Sequence, residues 1–232
     1  MRVRIPIFFL LFFNICTALF AQQQLRFGLS LGTTISFPKV THKESDGKVT
    51  PGYGLDLYFP LSYQLDEKLS LESGLGYATY SYRVSYNNSF IVIGSGSAFF
   101  PIKLTFTKPI SEHNKLYASL GVILQTGFVR GFYDFKSVDS VAGVVMAEHR
   151  VIKTYSLVNL EFGYRRITRR NKVNQISLQL FYGFQKQSDG EAYRISNPSS
   201  TFNYIDKSTF VILQYTFWFG KRPKQVSADS IS

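Results

Sequence analysis

The sequence predicts an all-β protein, an eight-stranded antiparallel up-and-down transmembrane β-barrel. Three observations carry that reading. Eight segments alternate between apolar and polar residues with period two, as strands with two distinct faces do. The connections between them run alternately long and short. The apolar face of each segment is large and greasy, and the opposite face is small and hydrophilic.

The segments follow in order. The first sets Leu25, Phe27, Leu29, Leu31, Thr33, Ile35 and Phe37 against Arg26, Gly28, Ser30, Gly32, Thr34 and Ser36. The second sets Tyr53, Leu55, Leu57, Phe59, Leu61, Tyr63 and Leu65 against Gly54, Asp56, Tyr58, Pro60, Ser62 and Gln64. The third opposes Leu69, Leu71, Leu75 and Tyr77 to Ser70, Glu72, Gly74, Gly76 and Ala78. The fourth, 99–106, opposes Phe100, Ile102, Leu104 and Phe106 to Pro101, Lys103 and Thr105. The fifth opposes Leu116, Ala118, Leu120, Val122, Leu124 and Phe128 to Tyr117, Ser119, Gly121, Gln125 and Gly127. In the sixth, Val158, Leu160, Phe162 and Tyr164 face away from Asn159, Glu161 and Gly163. In the seventh, Ile176, Leu178, Leu180, Tyr182 and Phe184 face away from Gln175, Ser177, Gln179 and Gly183. The eighth separates Val211, Leu213, Tyr215, Phe217 and Phe219 from Gln214, Thr216, Trp218 and Gly220.

Strands of roughly ten residues are long enough to cross a bilayer when tilted, whereas soluble strands usually have about five or six. Alternation alone also fits a soluble sandwich or a lipocalin-like cup. The make-up of the faces separates the cases. A soluble barrel fills its inside with the large apolar side chains, and a membrane barrel turns them outward. The long connections cover approximately 38–52, 83–97, 130–153 and 186–207; the short ones lie near 66–68, 107–115 and 166–173. Long extracellular loops and short periplasmic turns have this rhythm, and an even strand number closes the sheet with both termini periplasmic. The aromatics Phe37, Tyr53, Tyr63, Tyr77, Phe106, Phe128, Tyr155, Tyr164 and Phe219 are expected near strand ends, where interface girdles form.

The flanks read differently. Residues 1–21 have the form of a secretory signal peptide: Arg2 and Arg4, an apolar run, then Ala21 before Gln22-Gln23-Gln24. The barrel is expected over 22–220, with a polar periplasmic tail at 221–232. The 232-residue chain has 26 Lys+Arg against 15 Asp+Glu, and its aromatic share of 16% excludes a disordered protein. Its one cysteine, Cys16, belongs to the leader and excludes a disulfide scaffold.

The junction Ala21-Gln22-Gln23 and the first strand Phe27-Gly28-Leu29-Ser30-Leu31-Gly32 resemble small outer-membrane β-barrel proteins of the PorT-like and OmpX-like kind. So do the third strand Leu69 to Tyr77, the run Phe100-Pro101-Ile102-Lys103-Leu104 and the ending Tyr215-Thr216-Phe217-Trp218-Phe219-Gly220. The resemblance is one of pattern, spans the whole chain after the expected leader and contains no catalytic motif. It implies a barrel in the bacterial outer membrane. Some PorT-like proteins serve secretion and gliding machinery. The basic tail beyond the closing strand departs from barrels that end at the terminal aromatic.

No residue pattern points to an enzyme. His42, His113 and His149 fall in connections, and neither HExxH nor paired Cys occurs, so neither a metal nor a cofactor is expected. His42, Glu44 and Ser45 form a triad on paper but belong to a solvated loop. Gly94-Ser95-Gly96 is expected as a loop tip. The inward charges Arg26, Asp56, Glu72, Lys103 and Glu161 have two readings: a network that fills a lumen too narrow for a channel, or a selective ion path. Arg165, Arg166, Arg169, Arg170 and Lys172 surround one short turn, with Lys221, Arg222 and Lys224 after the last strand. They are expected at the periplasmic rim, contacting either anionic lipid head groups or an acidic periplasmic or envelope protein. Nucleic acid is not an expected partner of an exported chain. The function these features imply is a non-enzymatic barrel with a structural, adhesive or envelope- and secretion-assembly role. The alternatives are a narrow pore or transporter, and an exported soluble barrel that carries a small apolar ligand.

Overall fold

Tight turns with internal hydrogen bonds make one end of the molecule. Asp66 Oδ1 accepts the backbone N–H groups of Lys68 and Leu69 at 2.6 and 2.7 Å, the way an aspartate fixes a turn. At the next turn Ile110 N donates to the Asn114 carbonyl at 2.9 Å, and the Asn114 amide donates to Ser111 Oγ at 2.9 Å. At the third, Thr168 N donates to the Lys172 carbonyl at 2.8 Å.

A computed structural model describes residues 25–37, 47–86, 89–127, 133–137, 144–151, 154–168, 172–184, 188–194, 197–206 and 209–219. The described strands are β1 (Leu25–Phe37), β2 (Gly47–Gln64), β3 (Leu69–Tyr86), β4 (Ser89–Pro109), β5 (Asn114–Gly127), β6 (Tyr133–Ser137), β7 (Val144–Val151), β8 (Thr154–Ile167), β9 (Val173–Gly183), β10 (Ser188–Arg194), β11 (Asn197–Asp206) and β12 (Thr209–Phe219). Eight of them form the ring β1-β2-β3-β4-β5-β8-β9-β12, every neighbour antiparallel. Pairing of β1 with β12 closes it, from Phe27 opposite Phe219 to Phe37 opposite Thr209. Closure leaves the barrel without an edge strand, so its backbone groups are satisfied within the sheet. The eight predicted segments are these eight strands. Leu25 and Phe219 lie at the short-turn end.

The expected long loops differ from what the structure shows. At the opposite end several barrel strands continue past the ring. The start of β2, Gly47–Pro51, pairs with the end of β3, and Ser89–Ile93 of β4 pairs with both β3 and β6. Strands β7, β10 and β11 form a three-stranded sheet in the order β11-β10-β7; in the chain β7 precedes β8, β10 follows β9 and β11 precedes β12. Gly94-Ser95-Gly96 is therefore strand, opposite Thr79 to Ser81, and not a loop tip. His149 lies in β7. The predicted leader and tail, the His42 triad, Phe128, Arg169 and Arg170 lie outside the described residues.

The barrel is inside out relative to a water-soluble one. Leu55 is 67% exposed, Phe162 60% and Leu120 58%, and comparable residues ring all eight strands. Ser30, Asp56, Glu72, Lys103, Glu161, Gln175, Gln179, Gln214 and Thr216 are buried. One girdle aromatic departs from expectation. Tyr155 points inward, its hydroxyl 3.2 Å from that of Tyr80, because its parity matches Leu157, Asn159 and Glu161.

Candidate functional site

The inward residues of β8 read upward from the short-turn end as Ile167, Arg165, Gly163, Glu161, Asn159, Leu157 and Tyr155. Each names a layer of the interior. Ile167 packs with Val173 and Trp218 into an apolar floor. At the top, Leu157 and Tyr155 join Tyr80, Phe99, Ile123, Phe181, Phe210 and Ile212 in an apolar plug. Only about 10 Å³ is open among Thr34, Tyr80, Phe99, Phe210 and their neighbours, room for a single water.

Between floor and plug lies a closed polar circuit. Lys103 Nζ is 2.6 Å from Glu161 Oε2 and 3.9 Å from Glu72 Oε2. Arg165 donates to Glu72 Oε1 and, through Nε, to Gln175 Oε1, each at 2.6 Å. Gln175 Nε2 donates to Glu161 Oε1 at 3.3 Å, which completes the ring. Tyr117 also donates to Glu161 Oε1 at 2.7 Å, and Trp218 Nε1 to Gln175 Oε1 at 3.0 Å. The Arg165 guanidinium lies 4.6 Å from the Tyr117 ring centre and 5.4 Å from that of Trp218. Such contacts stabilise a desolvated cation. Glu161 is fully buried, and a charge so placed is tolerated only with partners of this quality.

A second chain of amides leads to Asp56. Asn159 donates to Gln179 Oε1 at 3.3 Å, Gln179 to Gln214 Oε1 at 2.5 Å, and Gln214 to Asp56 Oδ1 at 2.6 Å. Of the inward charges read from the sequence, Glu72, Lys103 and Glu161 share the ion circuit, whereas Asp56 ends the amide chain. Arg26 is half-buried near the short-turn end, opposite Ser62.

Arg165 corrects the expected rim cluster. It shares parity with Glu161 and Gly163, so it points into the barrel, while Arg166 and Lys172 are exposed. Lys172 Nζ lies 5.7 Å from the Phe217 ring centre. Counting every second residue from Glu161 would have separated Arg165 from its basic neighbours. Among the described residues no three His, Cys, Asp or Glu side chains gather as metal ligands.

Two glycines make room for the circuit. A Cβ at Gly121 would press into the Ile102 carbonyl and then Lys103, and one at Gly163 would overlap the Tyr117 ring and hydroxyl. Gly163→Ala is expected to push Tyr117 off Glu161 and to cost about 1–3 kcal/mol, as overpacking does. The check is the urea midpoint followed by fluorescence of Trp218, the only tryptophan in the chain; an unchanged midpoint would show that the ring has slack.

No protein-family model and no curated protein matches the chain. Among solved structures it is similar to the outer membrane protein OprG from Pseudomonas aeruginosa, at 15% identity and TM-score 0.47, over 84% of this chain and 94% of that one. It is similar to Ail, the attachment invasion locus protein of Yersinia pestis, solved with the heparin analogue sucrose octasulfate, at 13% identity and TM-score 0.41, over 84% and 99%. It is also similar to Neisserial surface protein A, at 9% identity and TM-score 0.43, over 84% and 96%.

Proposed function

We propose that the protein is a non-enzymatic β-barrel of the bacterial outer membrane with a structural, adhesive or envelope-assembly role. The observation that carries this is the inverted distribution of residues. Large apolar side chains cover the outside of a closed sheet, and charged and amide side chains occupy its inside. Water would penalise that outer face at about 25 cal/mol per Å² of apolar surface; lipid would not. The PorT-like resemblance of the third and closing strands supports envelope or secretion assembly among the roles, with the short-turn end periplasmic. The charged circuit lies between an apolar layer above and one below, and only the Arg165 end keeps slight exposure, which argues against a substrate reaching it. Fractionation tests the placement: recovery from membranes only with detergent is expected, and a soluble periplasmic form would overturn it.

The same sealing favours lumen filling over an ion path. Purified protein in a planar bilayer is expected to give no stable single-channel conductance. Steady nanosiemens steps would show that the plug or the floor of Ile167, Val173 and Trp218 opens.

A further inference from the structure

We propose that the outward surface around Ala118 holds one acyl chain of an anionic glycerophospholipid, with the phosphate on Lys108 and Arg166. The inference rests on the membrane placement argued above and goes further, to a specific retained lipid.

The cross-strand register defines the place. One outward row runs Phe106, Ala118, Phe162, Leu178, Leu213 across β4, β5, β8, β9 and β12. Ala118 is the single small residue in that row, between two phenylalanines. The surface dips there into a broad, open apolar groove with about 600 Å³ of space, which also takes in Tyr164 and Ile176. In a bilayer the hydrophobic effect gives a chain no reason to prefer this groove, since its surroundings are already apolar. Packing does, because a recess contacts a chain on several sides where a flat wall contacts it on one.

The head-group end is marked by charge. The next row toward the short turns is Lys108, Leu116, Tyr164, Ile176, and Lys108 itself lines the groove. One row further, Arg166 stands opposite Asn114, which accepts a hydrogen bond from the Tyr164 hydroxyl at 2.5 Å. Lys108 and Arg166 are exposed. They lie two strands and one row apart, about 12 Å on the sheet, so both long side chains can converge on one phosphate, and the guanidinium suits it in particular. The described carboxylates at this end are Asp66 and Glu67 on the β2–β3 turn and Glu112 at the tip of the β4–β5 turn, none of which lines the groove. Apolar groove and cationic mouth together match a lipid with one negative head group.

The test uses the full protein folded in bilayers of equal dioleoyl phosphatidylglycerol and dioleoyl phosphatidylethanolamine, then detergent extraction and native mass spectrometry. One retained phosphatidylglycerol is expected. Ala118→Trp fills the groove and should abolish retention, while Leu120→Trp, one row away, should not. Lys108→Gln with Arg166→Gln leaves the wall intact and should reduce the preference for phosphatidylglycerol about tenfold. Retention that is equal in wild type and Ala118→Trp, or no preference for the anionic lipid in wild type, would overturn the proposal. A membrane-embedded protein with no retained phospholipid overturns this inference alone; a protein that folds in buffer without lipid overturns the membrane placement as well.

Discussion

Glu161→Ala is expected to lower the unfolding free energy of the barrel by about 3–5 kcal/mol. Glu161 accepts from Lys103, Tyr117 and Gln175, so its removal leaves three donors short of a partner. One of them is an ammonium group with 3% exposure. Glu72, at 3.9 Å from Lys103, is already committed to Arg165 at 2.6 Å and compensates only weakly. The size of the effect comes from the stranded lysine rather than from the worth of the pair. Lys103→Met combined with Glu161→Leu should therefore recover most of the loss, because a buried ion pair replaced by apolar residues of similar volume is often close to neutral. Urea titration in lipid, read by Trp218 emission, measures both. If the single variant unfolds at the wild-type midpoint, water reaches Lys103 and the lumen is not sealed. If the double variant is as unstable as the single one, the circuit is needed for something other than charge balance.

How far the interior could be read from the sequence depends on the kind of contact. Parity along a strand is local, so Glu72, Lys103 and Glu161 were legible as inward from their neighbours alone. Partner choice is not local. Glu72 and Arg165 are 93 residues apart and meet because of the barrel's register, which no single segment encodes. Arg165 itself was legible by parity and was hidden by the cluster Arg165-Arg166-Arg169-Arg170, in which nearness along the chain masked opposite faces. Tyr155 was hidden in the same way: an aromatic near a strand end suggests an interface girdle, yet its alternation with Ser156 and Val158 turns it inward. The apolar plug is not legible in the pattern because Phe99, Phe181 and Phe210 sit among residues whose other face is equally apolar. The strands β6, β7, β10 and β11 fall in the long connections expected from the sequence, over 130–153 and 186–207. The apolar–polar alternation that marks the other strands is weak in their sequences.

Leu120→Arg is expected to destabilise the folded protein in lipid by about 2–4 kcal/mol, the penalty for a cation at the bilayer midplane on the outside of a barrel. Leu120 belongs to the outward row Leu104, Leu120, Leu160, Leu180, Val211. No member of that row can pair with a charge. The row lies midway in the β5 outward series from Leu116 to Leu124. That series spans about 27 Å along the strand and roughly 20 Å of membrane normal once tilted. Leu116→Arg, near the short-turn edge of the same series, should then cost only about 0–1 kcal/mol, because the side chain can reach the interface. This dependence on depth is what separates lipid from water. On a water-soluble barrel both leucines, exposed at 58% and 49%, would accept arginine within about 0.5 kcal/mol. Urea unfolding of both variants in liposomes decides between the two. A large loss at Leu120 beside a small one at Leu116 places lipid against this wall, and two equally small losses would mean that water, or another protein, covers it instead.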